Sequence, residues 1–206
     1  DYGRVDPRHP VSGYYGAWSE DGLHWSEIQK KPLFADPGDV GNFVWDAHKD
    51  RYLGYAKIFV ANGGFRRRAI GVTSTNDFLQ WSPTQLVLVP DAVDDRWVTS
   101  DRQHTDFYGL SAFAYESMYI GFLWVFRIQD GLNDGTIHLE LVSSRDGIQW
   151  KRQEGDRPPI IELGDAGQWD DGMLHTPSHP LVEGDTIKLF YGASEQTHSG
   201  PVAGGW

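Results

Sequence analysis

Ser144-Arg145-Asp146-Gly147-Ile148-Gln149-Trp150 is the stretch that decides the fold, because its pattern occurs three times in the chain. The other two copies lie at residues 19–25 and 75–81, and each has a hydroxyl residue, then Asp, then an aliphatic residue and Trp. The tryptophans Trp25, Trp81 and Trp150 are 56 and 69 residues apart. Repeats of this length predict a recurring supersecondary unit such as a propeller blade.

The motif has the chemistry of a hairpin turn. The Asp carboxylate can accept hydrogen bonds from backbone N–H groups just ahead of it, and the Gly that follows supplies a positive φ. The Trp begins the next strand and offers a large apolar face for packing. We therefore interpret these Asp and Trp residues as structural rather than catalytic. The second copy has Phe78 in place of Gly, so we expect that turn to differ in detail.

Composition excludes several classes of protein. The 206 residues include 24 Gly and 11 Pro, which interrupt the chain too often for long helices. The net charge of −11 argues against a nucleic-acid partner, and we expect the Arg66-Arg67-Arg68 run to be a solvated loop or to pair with an anion or carboxylate. No apolar run is long enough to cross a membrane, so no membrane partner is expected. The chain has no cysteine and shows no targeting signal, and we favour a secreted or periplasmic protein.

Strand patterns fall into two sets of four, joined by short connections rich in Asp, Asn, Gly or Lys, as in antiparallel meanders. The first set is predicted at residues 41–46, 51–58, 68–74 and 80–89, and the second at 107–115, 118–127, 136–143 and 149–152. Two further strands are predicted at 173–182 and 186–193.

These strands predict an all-β protein of the β-propeller type, with about three blades' worth of four-stranded antiparallel sheets. The single domain, 1–206, would contain a half blade over 1–38, blades over 39–90 and 104–164, and a half blade over 170–198. Because three blades do not close an ordinary ring, we expect the chain to be part of a longer propeller.

Three carboxylates stand at equivalent starts of predicted inner strands. Asp39 precedes Tyr52 by 13 residues, Asp106 precedes Tyr119 by the same 13, and Asp171 opens the third inner strand. Such residues would converge in the central funnel, and paired carboxylates are what glycoside hydrolysis requires. The alternative is that these residues cap loops or bind a structural cation.

Further polar and aromatic residues are candidates for contact with a sugar, although Trp124 also suits the core. They are Tyr108, Trp124, Trp169, Arg127, His175, His179, Glu195 and His198. Pro177 excludes the helix that would make His175 and His179 a metal pair, so no metal site is predicted. The acidic loop from Asp130 fails the calcium pattern because Leu132 and Leu141 occupy ligand positions. No cofactor is therefore predicted, and a structural calcium ion is an alternative that no motif indicates.

The Ser-x-Asp-Gly-x-x-Trp turns resemble those of five-bladed propeller glycoside hydrolases, the fructosidase and arabinofuranosidase superfamily (families 32, 43, 68 and relatives). They are also similar to the Asp-boxes of six-bladed sialidases. Residues 105–113 resemble the inner strand that carries the second catalytic Asp of the five-bladed group, and residues 186–193 resemble its second strand.

The resemblance implies a hydrolase that acts on a glycosidic bond of an oligo- or polysaccharide, with furanosides as one candidate class of substrate. Asp106 would stabilise the oxocarbenium-like transition state or tune the acid, Asp171 would donate the proton, and Asp39 would be a further channel carboxylate. The chain departs from the family because the first-blade Asp would lie upstream of Asp1 and no general-acid Glu is obvious. The alternative is a non-catalytic propeller that binds carbohydrate or another partner.

Overall fold

All regular secondary structure in the described part of the chain is β-strand, as predicted. The computed structural model describes residues 7, 9, 11–35, 38–131 and 133–200. Residues 1–6 of the predicted first half blade, Leu132 of the rejected calcium loop and residues 201–206 lie outside this part. Four two-residue strands come first: β1 (Gly13–Tyr14), β2 (Ala17–Trp18), β3 (Ser26–Glu27) and β4 (Phe34–Ala35), which pair as β1 with β4 and β2 with β3.

The first predicted set of strands forms a four-stranded antiparallel sheet, but its last strand is shorter than the predicted 80–89, because Pro83 lacks the N–H group that a ladder needs. Its strands are β5 (Gly41–Asp46), β6 (Arg51–Asn62), β7 (Phe65–Thr75) and β8 (Gln85–Leu88), in the order β5-β6-β7-β8. β6 and β7 continue beyond their predicted ends because the tight turn at Gly63 and Gly64, both at positive φ, lets them pair as far as Asn62 and Phe65.

The second predicted set forms another antiparallel meander. It contains β9 (His104–Tyr115), β10 (Met118–Ile128), β11 (Gly135–Ser144) and β12 (Trp150–Arg152), in which each strand pairs with the next. The register between β9 and β10 shifts at one place, where Gly109 pairs with Trp124 and Phe107 with Val125. Tyr108 therefore lies in a β-bulge, where the ladder passes from Phe107 directly to Gly109.

The last part of the chain corrects the prediction of two long strands at 173–182 and 186–193. Four short strands are present instead: β13 (Met173–His175), β14 (Leu181–Glu183), β15 (Thr186–Lys188) and β16 (Gly192–Ser194). Pro177 and Pro180 lack the N–H groups that a continuous ladder needs, so the chain leaves the sheet after His175. β14 and β15 form a separate hairpin, while β13 joins the second sheet beside β11 and pairs with β16.

One apolar core joins the two large sheets. Val44, Leu53 and Tyr55 of the first sheet belong to the same buried cluster as Phe107 and Leu110 of β9. These five side chains are at most 2% exposed. Burial of such side chains contributes about 1.5–3 kcal/mol each, so β9 is fixed against the first sheet mainly by the hydrophobic effect.

The three sequence motifs form the turns that were predicted, but only Trp150 begins a strand as expected. Trp25 lies directly before β3 and is 64% exposed, and Trp81 lies before the start of β8. In each copy, one Asp oxygen accepts two backbone N–H groups at 2.7–2.9 Å, and these hydrogen bonds help to hold the pKa of Asp21, Asp77 and Asp146 below its usual value.

Phe78 adopts φ 61°, close to the 75° of Gly22 and the 77° of Gly147, so the second turn keeps the same bend. It differs in one hydrogen bond, as expected: the glycine N–H donates to the Ser hydroxyl at 2.8 Å in the first copy and 2.9 Å in the third, and Phe78 forms no such bond among the described residues.

The third motif also docks onto the first sheet. The Tyr55 hydroxyl donates to the Gly147 carbonyl at 2.8 Å, and the Arg51 guanidinium donates to the Asp146 carbonyl at the same distance. The turn that begins at Ser144 therefore both closes its own hairpin and joins the two sheets. The described residues contain no helix that is long and apolar enough to span a membrane.

The docking predicts that two equivalent glycines differ in their tolerance of substitution. Gly22→Ala adds a Cβ with nothing within 4 Å, whereas at Gly147 the Cβ would lie 2.8 Å from Leu53 and 3.0 Å from the Tyr55 hydroxyl. Both variants lose about 1 kcal/mol through positive φ, and Gly147→Ala should lose a further ~1–3 kcal/mol through overpacking. Urea unfolding of the two variants measures the difference, and equal losses would contradict the docking.

Candidate functional site

A cavity of about 920 Å³ lies where the first sheet, β9 and the segment around His198 meet. It is large enough for a small-molecule ligand, since such sites commonly measure about 300–1,000 Å³. Polar groups and aromatic rings share the lining, which consists of Ser12, Gly13, Tyr14, Gly38, Asp39, Lys57, Phe59, Arg68, Tyr108, Asn133, His198 and Ser199. We call this cavity the central pocket.

A lysine is buried in the wall of the central pocket. The Lys57 side chain is 4% exposed, and its ammonium group pairs with Asp39, which is 40% exposed. Lys57 Nζ also lies 4.1 Å from the centroid of the Tyr108 ring. Burial lowers the pKa of Lys57, and the carboxylate of Asp39 opposes that shift. The pair thus places a partly exposed carboxylate at the pocket and holds a cation behind it.

A second ion pair lies deeper. The Asp106 side chain is 0% exposed, and its Oδ2 accepts a hydrogen bond from Arg68 Nη1 at 2.7 Å. Its Oδ1 lies 3.5 Å from His104 Nε2. Burial raises the pKa of Asp106, while the positive charge of Arg68 opposes the rise. Because Arg68 lines the pocket and Asp106 does not, Asp106 acts on the pocket through Arg68, which also donates to the Asn133 side chain.

Tyr108 and His198 form a hydrogen-bonded pair at the pocket. Tyr108 Oη lies 2.9 Å from His198 Nε2, and His198 Nδ1 lies 2.9 Å from the Asn133 carbonyl oxygen. A carbonyl only accepts, so Nδ1 carries the ring proton and Nε2 accepts the Tyr108 proton. Burial lowers the pKa of His198, and the charges of Arg68 and Lys57 lower it further, so the neutral ring is favoured at pH 7.

Four of the residues proposed from the sequence meet here. Asp39, Tyr108 and His198 line the central pocket, and Asp106 lies behind Arg68. Sequence reasoning missed Lys57 and Arg68 as pocket residues. A signal for Arg68 was present in the Arg66-Arg67-Arg68 run, whose last two members pair with the carboxylates of Asp95 and Asp106.

Asp171, proposed as the proton donor, does not line the central pocket. Its Oδ2 accepts the backbone N–H of Gly167 at 2.6 Å, so the carboxylate holds the turn before β13. Trp169 in the same turn is 58% exposed and stacks on Tyr191, with ring centroids 5.8 Å apart. Sequence proximity to a strand start was misleading because the turn uses the carboxylate as an internal acceptor.

The remaining proposed binding residues lie in different surroundings. Trp124 is 8% exposed and donates to the Thr176 hydroxyl, which makes it a core residue. His175 is half-buried beside Trp124 and Tyr108, where burial lowers its pKa. Arg127 lines a separate cavity of about 150 Å³, and His179 and Glu195 are exposed and line neither cavity. Within the described residues, no group of three or more His, Cys, Asp or Glu side chains could hold a metal ion.

Comparison with known proteins gives a fold but no family. No protein-family model and no curated protein matches the chain. An N-acetylgalactosamine deacetylase from F. plautii, solved in complex with blood group B trisaccharide, has a TM-score of 0.56 at 18% identity and covers 88% of this chain and 51% of its own. A protein described as a glycoside hydrolase and a complex of BT0996 with RGII in its description each give 0.56 at 15% identity, over 84% of this chain and 50% of their own. These matches show a shared fold, and the chain spans about half the length of the proteins it resembles.

The Lys57–Asp39 pair predicts a pH-dependent stability. Asp39→Asn leaves a buried ammonium without its carboxylate and should cost about 1–3 kcal/mol at pH 7, less than for a fully buried pair because Asp39 is partly exposed. The pKa of Lys57 is below its usual value in the fold, so the unfolded chain binds more protons between that pKa and 10.5. The free energy of unfolding of the variant should therefore rise toward pH 10, by at most about 1.4 kcal/mol per pH unit.

Lys57→Met is the matched control, because it removes the titrating group. Urea unfolding between pH 7 and pH 10 should show the rise in Asp39→Asn and its absence in the double variant Asp39→Asn/Lys57→Met. Parallel pH profiles of the two variants would show that Lys57 is not the group responsible.

Proposed function

We propose that the chain forms part of a five-bladed β-propeller and that its central pocket binds a carbohydrate. Two successive four-stranded meanders, each closed by the same turn motif, are typical of propeller blades. The similar structures include proteins described as a glycoside hydrolase and as an N-acetylgalactosamine deacetylase, and both descriptions name an activity on sugars. The pocket combines aromatic rings with hydrogen-bonding groups, as sugar sites do.

The reaction we propose is hydrolysis of a glycosidic bond, with furanosides as the first substrates to test. The observation that carries the proposal is the partly exposed Asp39 carboxylate, held at the pocket by the buried Lys57. The positive charge of Lys57 beside this carboxylate favours its ionised form, which is the form required of a group that meets the anomeric carbon or activates a water molecule. Asp106 would set the position and field of Arg68 rather than contact the sugar, because it is fully buried.

One observation favours the second candidate function, carbohydrate binding without catalysis. Glycoside hydrolysis ordinarily uses two carboxyl groups that face the same bond. Within the described lining of the central pocket, Asp39 is the only carboxylate, since Asp106 is behind Arg68 and Asp171 holds a turn.

A panel of 4-nitrophenyl furanosides and pyranosides, assayed with the full-length protein that carries this chain, tests both functions. We expect turnover that falls about 10²–10⁴-fold in Asp39→Asn, as for loss of a general base or nucleophile. Asp185→Asn, in the exposed turn between β14 and β15, is the matched control and should keep full activity.

Saturation-transfer NMR with the same glycosides separates the remaining outcomes. Binding without turnover would support the second candidate function. Neither binding nor turnover of any glycoside, or full activity in Asp39→Asn, would contradict the assignment of Asp39 and the central pocket.

A further inference from the structure

Tyr108, His198 and the Asn133 carbonyl form a chain of three groups in the wall of the central pocket. Each link measures 2.9 Å, from Tyr108 Oη to His198 Nε2 and from His198 Nδ1 to the Asn133 oxygen. This is the arrangement of an oxygen acid or nucleophile, a base within hydrogen-bond reach and a third group that orients the base. The fixed tautomer leaves His198 Nε2 ready to take the phenolic proton.

Two positive charges lie beside the same phenol. Lys57 Nζ is 4.1 Å and Arg68 Cζ is 5.7 Å from the centroid of the Tyr108 ring. Their side chains are 4% and 14% exposed, so water screens these charges less than it would at the surface. Each cation is also paired with a carboxylate, Asp39 or Asp106, so a phenolate on Tyr108, or an oxyanion formed next to it, would be stabilised by the cationic ends of two ion pairs.

We propose that the central pocket also removes acyl groups from an acylated carbohydrate, with Tyr108 and His198 as the proton-transfer pair. Water attacks the acyl carbonyl carbon, its proton passes to Tyr108 Oη, and the proton of Tyr108 passes to His198 Nε2. The tetrahedral oxyanion forms in the field of Lys57 and Arg68. When the C–O or C–N bond to the sugar breaks, the proton returns from His198 through Tyr108 to the departing oxygen or nitrogen, which gives a carboxylic acid and a free sugar hydroxyl or amine.

The geometry suits acyl transfer because one pair of residues, Tyr108 and His198, can take the proton from the attacking water and return it to the leaving group. In acyl hydrolysis, the attacking water and the leaving group share one carbonyl carbon, so one base can serve both. In glycoside hydrolysis, two separate carboxyl groups must flank the bond, whereas Asp39 is the only one in the described lining. The proposal rests on the proposed function in one respect, namely that the pocket binds a carbohydrate.

Acetate release, followed by ¹H NMR, tests the inference with glucose pentaacetate, methyl N-acetylglucosaminide and 4-nitrophenyl acetate as probes. The full-length protein should release acetate from at least one sugar probe, and Tyr108→Phe and His198→Ala should each lower kcat/KM about 10²–10⁴-fold. Tyr115→Phe and His48→Ala, at the far end of β9 and in an exposed turn, are matched controls that should keep the wild-type rate.

Two measurements distinguish a role in proton transfer from a merely structural role. Added imidazole should restore part of the activity of His198→Ala, since a small base can occupy the vacated space. The rate should stay constant as pH falls from 8 to about 6.5 and fall only below that, because burial lowers the pKa of His198 and the neutral ring is the active form.

The outcomes separate this inference from the proposed function. Acetate release without cleavage of any glycoside would support the inference and contradict glycoside hydrolysis. No acetate from either sugar probe, or full activity in Tyr108→Phe, would overturn the inference and leave the glycoside assay to decide the proposed function. If the variants unfold, ¹H–¹⁵N spectra of the wild type remain decisive, because a proton on Nε2 of His198 would exclude the proposed transfer.

Discussion

The rest of the structure depends on the contact between the third turn motif and the first sheet. The carbonyl groups of Asp146 and Gly147 accept hydrogen bonds from Arg51 and Tyr55, and the Gly147 Cα fits against Leu53 with no space for a side chain. The same motif at residues 19–25 forms its turn without such a contact at its glycine. The third turn motif therefore has two roles: it closes its own hairpin, and it joins the two sheets.

The central pocket exists because the two sheets are joined. Lys57 and Arg68 project from neighbouring strands of the first sheet, while Asp106 and Tyr108 come from β9 of the second. Lys57 pairs with Asp39, which lies just before β5, and Arg68 pairs with Asp106 of β9, which offsets the cost of removing the charges from water. Stability and site geometry thus depend on the same ion pairs, and substitution of either carboxylate changes both.

Much of the fold could be predicted from the sequence, because the strand patterns and the turn residues act locally. The bounds of β5 were predicted to the residue, since Asp46 and the turn that follows end the strand clearly. The strands after Met173 were not, because Pro177 and Pro180 interrupt a pattern whose apolar residues still alternate. The site was predicted in part: Asp39, Asp106, Tyr108 and His198 converge, but the role of Asp171 as an internal acceptor depends on a turn that no residue pattern indicated.

The β-bulge at Tyr108 has a consequence for how this protein can change. The bulge sets Tyr108 between Phe107 and Gly109, which carry the β9–β10 pairing on either side. Tyr108 also packs against the buried cluster that contains Phe126, and its ring contacts Lys57 and His198. A substitution at this position therefore changes the pocket and the packing of the second sheet together, so the chemistry of the pocket cannot vary here without a cost in stability.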